Sequence, residues 1–288
     1  MNIMNHSTLL EVRNLECSYS GQVGCALCID QMDLEFGKMH FVLGRSGIGK
    51  STLIEALGLM EQTMGGCDAK VTMNVSDELV DLQELWDGND SNLSKFRQEN
   101  FSFIFQSTNL LSNLSLRENV LMPAWIAKDG FAEERIEGIF ERLLPELSPR
   151  DWGKEVSAIS GGQRQRLAFM RALVSPFNIL FGDEPTGNLD FWRADRAMSL
   201  LANELKSSQR TACIVSHDID LSVKYADTIF LLTPASGDFE SPNSEPTHGA
   251  LSKEHIFKKS GDFWVDGNGE EHSDLTLRQV LKQSLELS

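Results

Sequence analysis

The first sixty residues change from a strand-like to a helix-like hydrophobic pattern. Apolar and polar positions alternate over residues 9–20 and 26–36, and residues 39–44 form a short apolar run. Alternation with a period of two is typical of half-buried strands, and a short continuous apolar run is typical of a fully buried one. We expect antiparallel-type strands up to residue 43, followed by a glycine-rich turn and an apolar helix over residues 44–60.

Strand and helix patterns then alternate through the middle of the chain. Residues 107–158 carry a polar-faced helical pattern interrupted by three prolines, and further helices are expected after Ser160 and over residues 193–207. The strand-like segments are residues 70–75, 101–105, 177–184, 211–218 and 228–233. This alternation predicts an α/β fold with a mostly parallel sheet that helices cover on both faces.

The pattern also predicts a core domain and a C-terminal extension. The core domain is expected over residues 8–235, with a helical subdomain at about residues 107–158. Residues 234–249 are rich in Ser, Pro, Gly and acidic residues, which is typical of a linker. The linker and the extension together make up residues 236–288, which end in an amphipathic helix. An acidic insertion at residues 76–92 interrupts the core pattern.

Composition limits the classes of function. Of the 288 residues, 41% are hydrophobic and 24% are charged, as in ordinary globular domains. The formal net charge of −16 disfavours nucleic acid as a partner, and we interpret Arg164, Arg166 and Arg171 as helix-surface and interface charge. The chain has no run of 18 apolar residues and no signal-peptide pattern at its N-terminus, so we expect a cytoplasmic protein.

Two segments resemble incomplete metal sites. Cys25 and Cys28 have the spacing of a redox or zinc half-site, but no second Cys/His pair completes four ligands, so reduced thiols near a strand are the favoured interpretation. The acidic turn at residues 266–269 could suggest calcium. Its spacing does not match the twelve-residue calcium loop, so a solvated turn is preferred.

The strongest chemical signal is a phosphate-binding loop. The pattern G-x-x-x-x-G-K-[ST] is matched at every fixed position, between a predicted strand and a predicted helix, which argues against a glycine turn without a ligand. Glycines let backbone N–H groups approach a phosphate, and the helix dipole favours its negative charge. Lys50 is expected to pair with the β- and γ-phosphates and Ser51 to ligate Mg²⁺. The residues assigned to nucleotide binding here are Gly44, Arg45, Ser46, Gly47, Ile48, Gly49, Lys50, Ser51 and Thr52.

Polar residues at the ends of other predicted strands complete a candidate catalytic site. Asp183 ends one apolar strand and suits the metal, and Glu184 follows it in a position to polarise an attacking water as a general base. Gln106 and His217 end two further strands. The carboxyl ends of strands in a parallel α/β sheet face the ligand crevice, so we add both residues to the candidate catalytic group.

A second glycine pair opens a helix far beyond the phosphate loop. The segment ISGGQRQRLAFMRAL at residues 159–173 resembles the signature motif of ATP-binding cassette (ABC) ATPases. The phosphate loop, Gln106, the signature, Asp183-Glu184, the segment TGNLD and His217 also occur in the order of that family. The resemblance covers about residues 8–235. It implies an ABC-type ATPase core, with a mixed sheet and an antiparallel β subdomain, plus a helical signature subdomain.

The resemblance implies a role for the second glycine pair. In that family two cassettes pack head to tail, and each ATP lies between the phosphate loop of one subunit and the signature of the other. Ser160, Gly161 and Gly162, with the adjoining Gln163, would therefore contact the ATP of a second subunit. Glycine N–H groups at a helix N-terminus form an anion site, which agrees with this role.

The resemblance also implies a role for each of four single residues. Tyr19 matches the aromatic residue that stacks on adenine, and Gln106 matches the residue that touches Mg²⁺ and connects to the transport partner. Asp190 matches the loop across the dimer, and His217 matches the switch histidine at the γ-phosphate. Ile48 replaces the small residue that is usual inside the phosphate loop, which should be tolerated because the backbone binds the phosphate.

The resemblance extends to a group of transporter subunits. Residues 101–125 and 182–190 are similar to the lipoprotein-release and macrolide-export group, whose members move a periplasmic domain mechanically. This implies ATP and Mg²⁺ as cofactors. It also implies membrane permease subunits and a second, identical ABC ATPase subunit as partners, with the chain bound peripherally at the cytoplasmic face of the inner or plasma membrane.

Other functions remain open at this point. The acidic insertion and the extension motivate a soluble ABC ATPase that switches a protein partner in regulation or defence. Two-cassette translation factors and coiled-coil DNA-repair relatives are disfavoured, because the chain has one phosphate loop and only about 110 residues between it and the signature. A nucleotide-binding scaffold without hydrolysis is disfavoured by the presence of Glu184 and His217.

Overall fold

The computed structural model describes residues 7–21, 24–235 and 248–286. They form two β-sheets with α-helices packed around them. The strands are β1 (Thr8–Cys17), β2 (Leu27–Glu35), β3 (Met39–Leu43), β4 (Met64–Gly65), β5 (Lys70–Val75), β6 (Glu78–Asp81), β7 (Phe101–Ile104), β8 (Ile179–Asp183), β9 (Thr211–Val215), β10 (Thr228–Leu231), β11 (Thr233–Pro234), β12 (Gly249–Leu251), β13 (Ile256–Ser260), β14 (Phe263–Val265) and β15 (Glu271–His272). The helices are α1 (Lys50–Leu57), α2 (Asp90–Asn100), α3 (Leu116–Ile126), α4 (Ala132–Leu143), α5 (Gly161–Val174), α6 (Phe191–Ser208), α7 (Ile219–Tyr225) and α8 (Asp274–Glu286).

The first sheet is largely antiparallel. Its main order is β11-β12-β2-β1-β5-β6, and β4 pairs with the end of β1. Strands β1 and β2 pair antiparallel along their length, as their alternating patterns predict, and their buried positions face one apolar cluster. The prediction was wrong for residues 39–43, which form β3 in the other sheet. All five residues of β3 are buried, so this strand has no polar face to expose and needs cover on both sides.

The second sheet contains the predicted parallel core. Its order is β15-β14-β13-β10-β3-β9-β8-β7, and the five strands from β10 to β7 run parallel. The carboxyl ends of these strands therefore meet at one edge of the sheet. That edge is where an open α/β sheet binds its ligands. The segments that follow β3, β7, β8 and β9 include all of the predicted catalytic residues.

Two elements near the acidic insertion were not predicted. Residues 76–92 include β6, which pairs with β5 as a hairpin whose turn has Ser76 and Asp77 at φ of 53° and 68°. Two positive φ values at the centre of a two-residue turn match the twist of the flanking strands. Helix α2 follows, and the side chain of its N-cap residue, Asn89, accepts a hydrogen bond from the N–H of Ser91. Its residues are mostly polar, so no apolar stripe indicated a helix.

The described part of the C-terminal extension packs into both sheets. Strand β12 pairs with β2, and β13 pairs with β10. Trp264 of β14 is fully buried, and its indole N–H donates to Asp274 at 2.9 Å. Leu277 and Leu281 of α8 are buried in the same core cluster as the parallel sheet. The extension therefore shares the hydrophobic core of the domain.

The predicted linker falls mostly outside the described residues. Residues 236–247 of the linker are not among the described residues. Strands β11 and β12, which flank them, pair with each other. The boundary at residue 235 stays a prediction. The segment 107–158 contains α3 and α4, joined to α5 by short 3₁₀ turns. Among the described residues, none of the helices combines the length and the apolar character needed to cross a membrane.

Candidate nucleotide site

The phosphate loop connects β3 to α1 and closes around the ammonium group of Lys50. The Nζ atom donates to the carbonyl oxygens of Gly44 at 2.8 Å and Arg45 at 2.7 Å. Gly47 and Gly49 have φ of 79° and 99°, which side-chain-bearing residues rarely adopt. Burial lowers the pKa of Lys50, and the carboxylates of Glu184 and Asp183 act against that shift. The loop thus presents a preformed cation.

Two oxygen ligands lie beside this lysine. Asp183 ends β8, and its Oδ2 accepts a hydrogen bond from the Ser51 hydroxyl at 3.2 Å. A hydroxyl and a carboxylate in contact are hard oxygen donors, which suit Mg²⁺. The donor chemistry therefore fits the predicted metal, with Ser51 and Asp183 as the residues that would hold it.

Glu184 adopts a backbone conformation that is unusual for its residue type. Its φ is 49°, its N–H donates to the Val215 carbonyl at 3.0 Å, and its own carbonyl accepts from the Gly187 N–H at 3.1 Å. These bonds hold the residue in the left-handed region, a kind of strain that concentrates at functional sites. The Oε2 atom of Glu184 contacts Nδ1 of His217, whose side chain is 70% exposed. The general-base candidate and the switch candidate are therefore adjacent.

A pocket of about 520 Å³ opens above the phosphate loop. It brings together residues from three predicted motifs, and it also contains residues that the sequence analysis missed. Its lining is Gly44, Arg45, Ser46, Lys50, Glu184, His217, Ile219, Lys282, Leu285 and Glu286. The last three belong to α8. The only signal for them was the amphipathic pattern of that helix, which does not reveal what the helix packs against.

The signature segment lies apart from this pocket. Of the described residues that line the pocket, none belongs to segment 160–163. Ser160 begins α5 with a reciprocal cap, in which its hydroxyl accepts from Gln163 N–H at 3.3 Å and its N–H donates to the Gln163 side chain at 2.8 Å. Cβ atoms added at Gly161 and Gly162 would meet only ordinary contacts, 3.7 Å or longer. The chain's own packing therefore does not require glycine there.

Three other predicted residues also lie outside the pocket lining. Tyr19 is half-buried, and its hydroxyl bonds to Thr52 Oγ1 at 3.0 Å and to Glu55. Asp190 is the N-cap of α6 and accepts the N–H of Arg193 at 3.0 Å. Gln106 is exposed two residues past the end of β7. Their assigned roles toward adenine, a second subunit and a metal stay predictions.

The arginines of the signature helix are not simply surface charge. Arg166 is buried and pairs with Glu146, and burial lowers the pKa of its guanidinium. Arg171 donates to the carbonyl oxygens of Thr108 at 2.9 Å and Asn109 at 2.8 Å. The surface interpretation was wrong for Arg166, because its side chain is buried, whereas Arg171 is half-buried and bonds to the carbonyls of a partly exposed segment. Arg171 links the signature helix to the segment that follows Gln106.

The two incomplete metal patterns have local explanations. Cys25 and Cys28 are free thiols with their sulfur atoms 2.9 Å apart, and burial raises the pKa of Cys28 to about 12, which favours the thiol over the thiolate. Asp266 Oδ1 accepts the N–H groups of Asn268 and Glu270, both at 2.9 Å, and Oδ2 pairs with His272. Hydrogen bonds within the turn thus use the carboxylate.

Comparison with known proteins agrees with this geometry. The model of the ABC transporter family matches residues 29–187. The lipoprotein-releasing system ATP-binding protein LolD of Protochlamydia amoebophila is 32% identical over 222 residues, which cover 76% of this chain and 92% of LolD. The macrolide export ATP-binding/permease protein MacB of Hyphomonas neptunium is 37% identical over 191 residues, which cover 65% of this chain but 27% of MacB.

Solved structures agree as well. The bacterial ABC transporter cassette MJ0796, solved as a dimer, aligns with a TM-score of 0.65 and 28% identity, covering 77% of this chain and 94% of that one. The expected ABC-type fold and the resemblance to the lipoprotein-release and macrolide-export group are confirmed. On the strength of its phosphate loop, its signature helix and these relatives, the chain belongs to the ABC transporter family and is one of its ATP-binding cassette ATPases.

Proposed function

We propose that this ATPase dimerises head to tail around two ATP molecules and drives a membrane permease of the lipoprotein-release or macrolide-export type. One observation carries the proposal. The chain has two glycine-containing loops that each lead into a helix N-terminus, and the second one, Ser160 to Gly162 at the start of α5, does not line the pocket that contains the first. Glycines that the chain's own packing does not require are explained by the close approach of a second molecule.

In the proposed mechanism each pocket residue has a separate role in ATP hydrolysis. Lys50 would neutralise the β- and γ-phosphates, and Mg²⁺ held by Ser51 and Asp183 would offset charge on the phosphate oxygens. Glu184 would accept a proton from the attacking water, and the neighbouring His217 would contact the γ-phosphate. The signature of the second subunit would supply N–H groups to the same phosphate and complete the site.

A groove next to Gln106 supports the proposal that the chain binds a protein partner. It has a volume of about 270 Å³ and lies between β7 with the segment after it and the helices α3 and α5. Phe103, Phe105, Pro123 and Ile126 give it an apolar lining, and Ile126 is 58% exposed. An apolar groove of this kind suits a short helix of a permease, and motion of the segment after Gln106 would transmit nucleotide binding to it. The chain would then lie at the cytoplasmic face of the membrane, held there by the permease.

Dimerisation can be tested with a variant that binds ATP without turnover. Glu184→Gln should form a dimer with ATP and Mg²⁺ and remain a monomer with ADP, as measured by size exclusion with light scattering. Glu134→Gln, which changes an exposed carboxylate on α4, is the matched control and should behave as the wild type. A Glu184→Gln chain that stays monomeric at saturating ATP and Mg²⁺ would refute the head-to-tail mechanism.

The partner can be identified by the same variant. Tagged Glu184→Gln protein is purified from its native membranes in mild detergent with ATP and Mg²⁺, and the bound proteins are identified by mass spectrometry. A permease with a large periplasmic domain is the expected result. Recovery only from the soluble fraction, with a soluble protein, would replace the transporter proposal with a regulatory or defence ATPase.

A further inference from the structure

The C-terminal extension reaches the nucleotide pocket through its last helix. Three residues from the final turns of α8, Lys282, Leu285 and Glu286, line the pocket together with Lys50, Glu184 and the other phosphate-site residues. The extension begins beyond the residues that the family model matches, 29–187, and beyond the core domain that the sequence predicts. None of the nucleotide-binding motifs of the sequence includes these positions.

The position of α8 is fixed by contacts on several sides. Leu277 and Leu281 are fully buried, and Asp274 at the start of the helix accepts the indole N–H of the buried Trp264. Arg278 donates to Asp220 at 2.8 Å, which ties α8 to α7, the helix that begins two residues after His217. The helix is therefore packed in place along the element that follows the switch histidine.

This packing directs a cation into the pocket. Positions 278, 282 and 286 are four residues apart and lie on one face of α8. Arg278 has an acidic partner, whereas Lys282 is exposed, and within the described chain no carboxylate pairs with its ammonium group. The pocket lining combines the cationic side chains of Arg45, Lys50 and Lys282 with the carboxylates of Glu184 and Glu286, and the extension supplies Lys282 and Glu286.

We propose that Lys282 is a nucleotide-contacting residue that binds the terminal phosphate of ATP. The inference rests on the proposed use of this pocket for ATP. Lys50 is held by two carbonyls at the base of the loop, and Glu184 and His217 mark the region of the γ-phosphate. Lys282 shares the pocket with these residues and has a flexible stem, so its ammonium group reaches the added charge that distinguishes ATP from ADP. The extension therefore makes the pocket selective for the triphosphate.

The test compares binding of ATP and ADP to the full chain. Fluorescent ATP and ADP analogues are titrated without Mg²⁺, so that turnover does not interfere, into the wild type, Lys282→Ala, Lys282→Arg and Lys253→Ala. Lys253→Ala removes one exposed positive charge from the extension outside the pocket and is the matched control. Thermal unfolding of each variant checks that the exposed substitution leaves the fold intact.

We expect Lys282→Ala to weaken ATP binding by about tenfold, the lower range for a charge-assisted hydrogen bond, with ADP binding unchanged. Lys282→Arg should retain most of the ATP affinity, and Lys253→Ala should match the wild type. The proposal would be overturned if Lys282→Ala left the ATP affinity unchanged or lowered the affinity for ATP and ADP equally. Tighter ATP binding in Lys282→Ala would also overturn it, because it would mean that α8 obstructs the pocket.

A separate variant distinguishes this result from failure of the proposed function. Lys50→Ala should lose most of the affinity for both nucleotides, because its ammonium group serves the β- and γ-phosphates. If the wild type and Lys50→Ala bound ATP equally weakly, the assignment of the pocket to ATP would itself fail. If Lys50→Ala lost its affinity for both nucleotides and Lys282→Ala still bound ATP as the wild type does, the role of the extension alone would fail.

Discussion

Gly249 lies so close to Ile48 that a Cβ atom added at residue 249 would stand 2.0 Å from the Ile48 carbonyl oxygen. Gly249 begins β12, and its N–H donates to the Ala26 carbonyl at 3.2 Å. Ile48 is buried inside the phosphate loop. A strand of the C-terminal extension thus packs directly against the backbone that is expected to bind phosphate.

Substitution of this glycine should disturb the phosphate loop. In Gly249→Ala the added methyl group forces either β12 or the Ile48 backbone to move. We expect the free energy of unfolding to fall by about 1–3 kcal/mol, as for other overpacked sites, and ATP binding to weaken in parallel. Urea unfolding and an ATP titration measure the two effects.

A second glycine provides the control for that experiment. Gly138 lies within α4, and a Cβ atom there would have nothing within 4 Å. Gly138→Ala should leave ATP binding unchanged and raise stability by about 0.5–1 kcal/mol, because alanine favours the helix. Wild-type stability and affinity in Gly249→Ala would show that the contact relaxes without cost.

The parts of the site that were predictable are those with a local pattern. The phosphate loop and the acidic pair Asp183-Glu184 sit at fixed spacings beside short apolar strands, so sequence alone indicated that they lie together at the edge of the parallel sheet. Parallel pairing of β3, β9 and β8 then brings the loop, Glu184 and His217 to one edge. The sequence order and the strand ends were sufficient for this step.

The parts that were missed depend on contacts between distant segments. Lys282 lies more than two hundred residues beyond Lys50, and only the packing of Trp264, Leu277 and Leu281 brings α8 to the pocket. Ile48 was expected only to be tolerated in the loop, and its contact with Gly249 of β12 was not predicted. Such contacts leave no periodic pattern in the sequence, because a single glycine or lysine gives no indication there of whether it lies at a surface or at a site.

Arg171 should couple the signature helix to the segment after Gln106. Its guanidinium holds the Thr108 and Asn109 carbonyls, and burial lowers the pKa of that group. Arg171→Met would leave both carbonyls without this donor, and because water can replace part of it at the exposed Asn109, we expect the free energy of unfolding to fall by about 1 kcal/mol. ATP turnover should fall as well, with ATP affinity retained because the phosphate loop is untouched.

The comparison for Arg171 is an arginine of α6. Arg196 is exposed, so Arg196→Met should alter neither stability nor turnover. Urea unfolding, a phosphate-release assay and an ATP titration are run on both variants. If Arg171→Met lowered stability and left turnover at the wild-type rate, Arg171 would be structural only, and the coupling would be disproved.

His217 should affect the chemical step more than nucleotide binding. Its Nδ1 contacts Oε2 of Glu184, so His217→Ala removes a group that orients the candidate base. We expect the rate of ATP turnover to fall by about a hundredfold, at the low end for acid–base groups, with ATP affinity within about threefold of the wild type. Single-turnover kinetics separate the two, and His255→Ala in the extension is the control. An equal loss of turnover and affinity would assign His217 to binding alone.

Stability should fall in mild acid because of His40. This residue of β3 is fully buried, its Nε2 accepts the Glu35 N–H at 3.0 Å, and burial lowers its pKa to about 4. The unfolded chain binds a proton near pH 6.5, so the contribution of neutral His40 is complete above that pH and is lost as the pH falls toward 4. The loss is about 1.4 kcal/mol per pH unit and about 3 kcal/mol in total.

Urea unfolding at pH 7, 6 and 5 tests this expectation against His40→Leu. The leucine variant should be less stable than the wild type at pH 7, because the Glu35 N–H loses its acceptor, and its stability should fall less steeply below pH 6.5. Acid sensitivity from carboxylate pairs is common to both chains and cancels in the comparison. Equal slopes in the two proteins would mean that His40 becomes protonated within the folded state, through an opening of the core around β3.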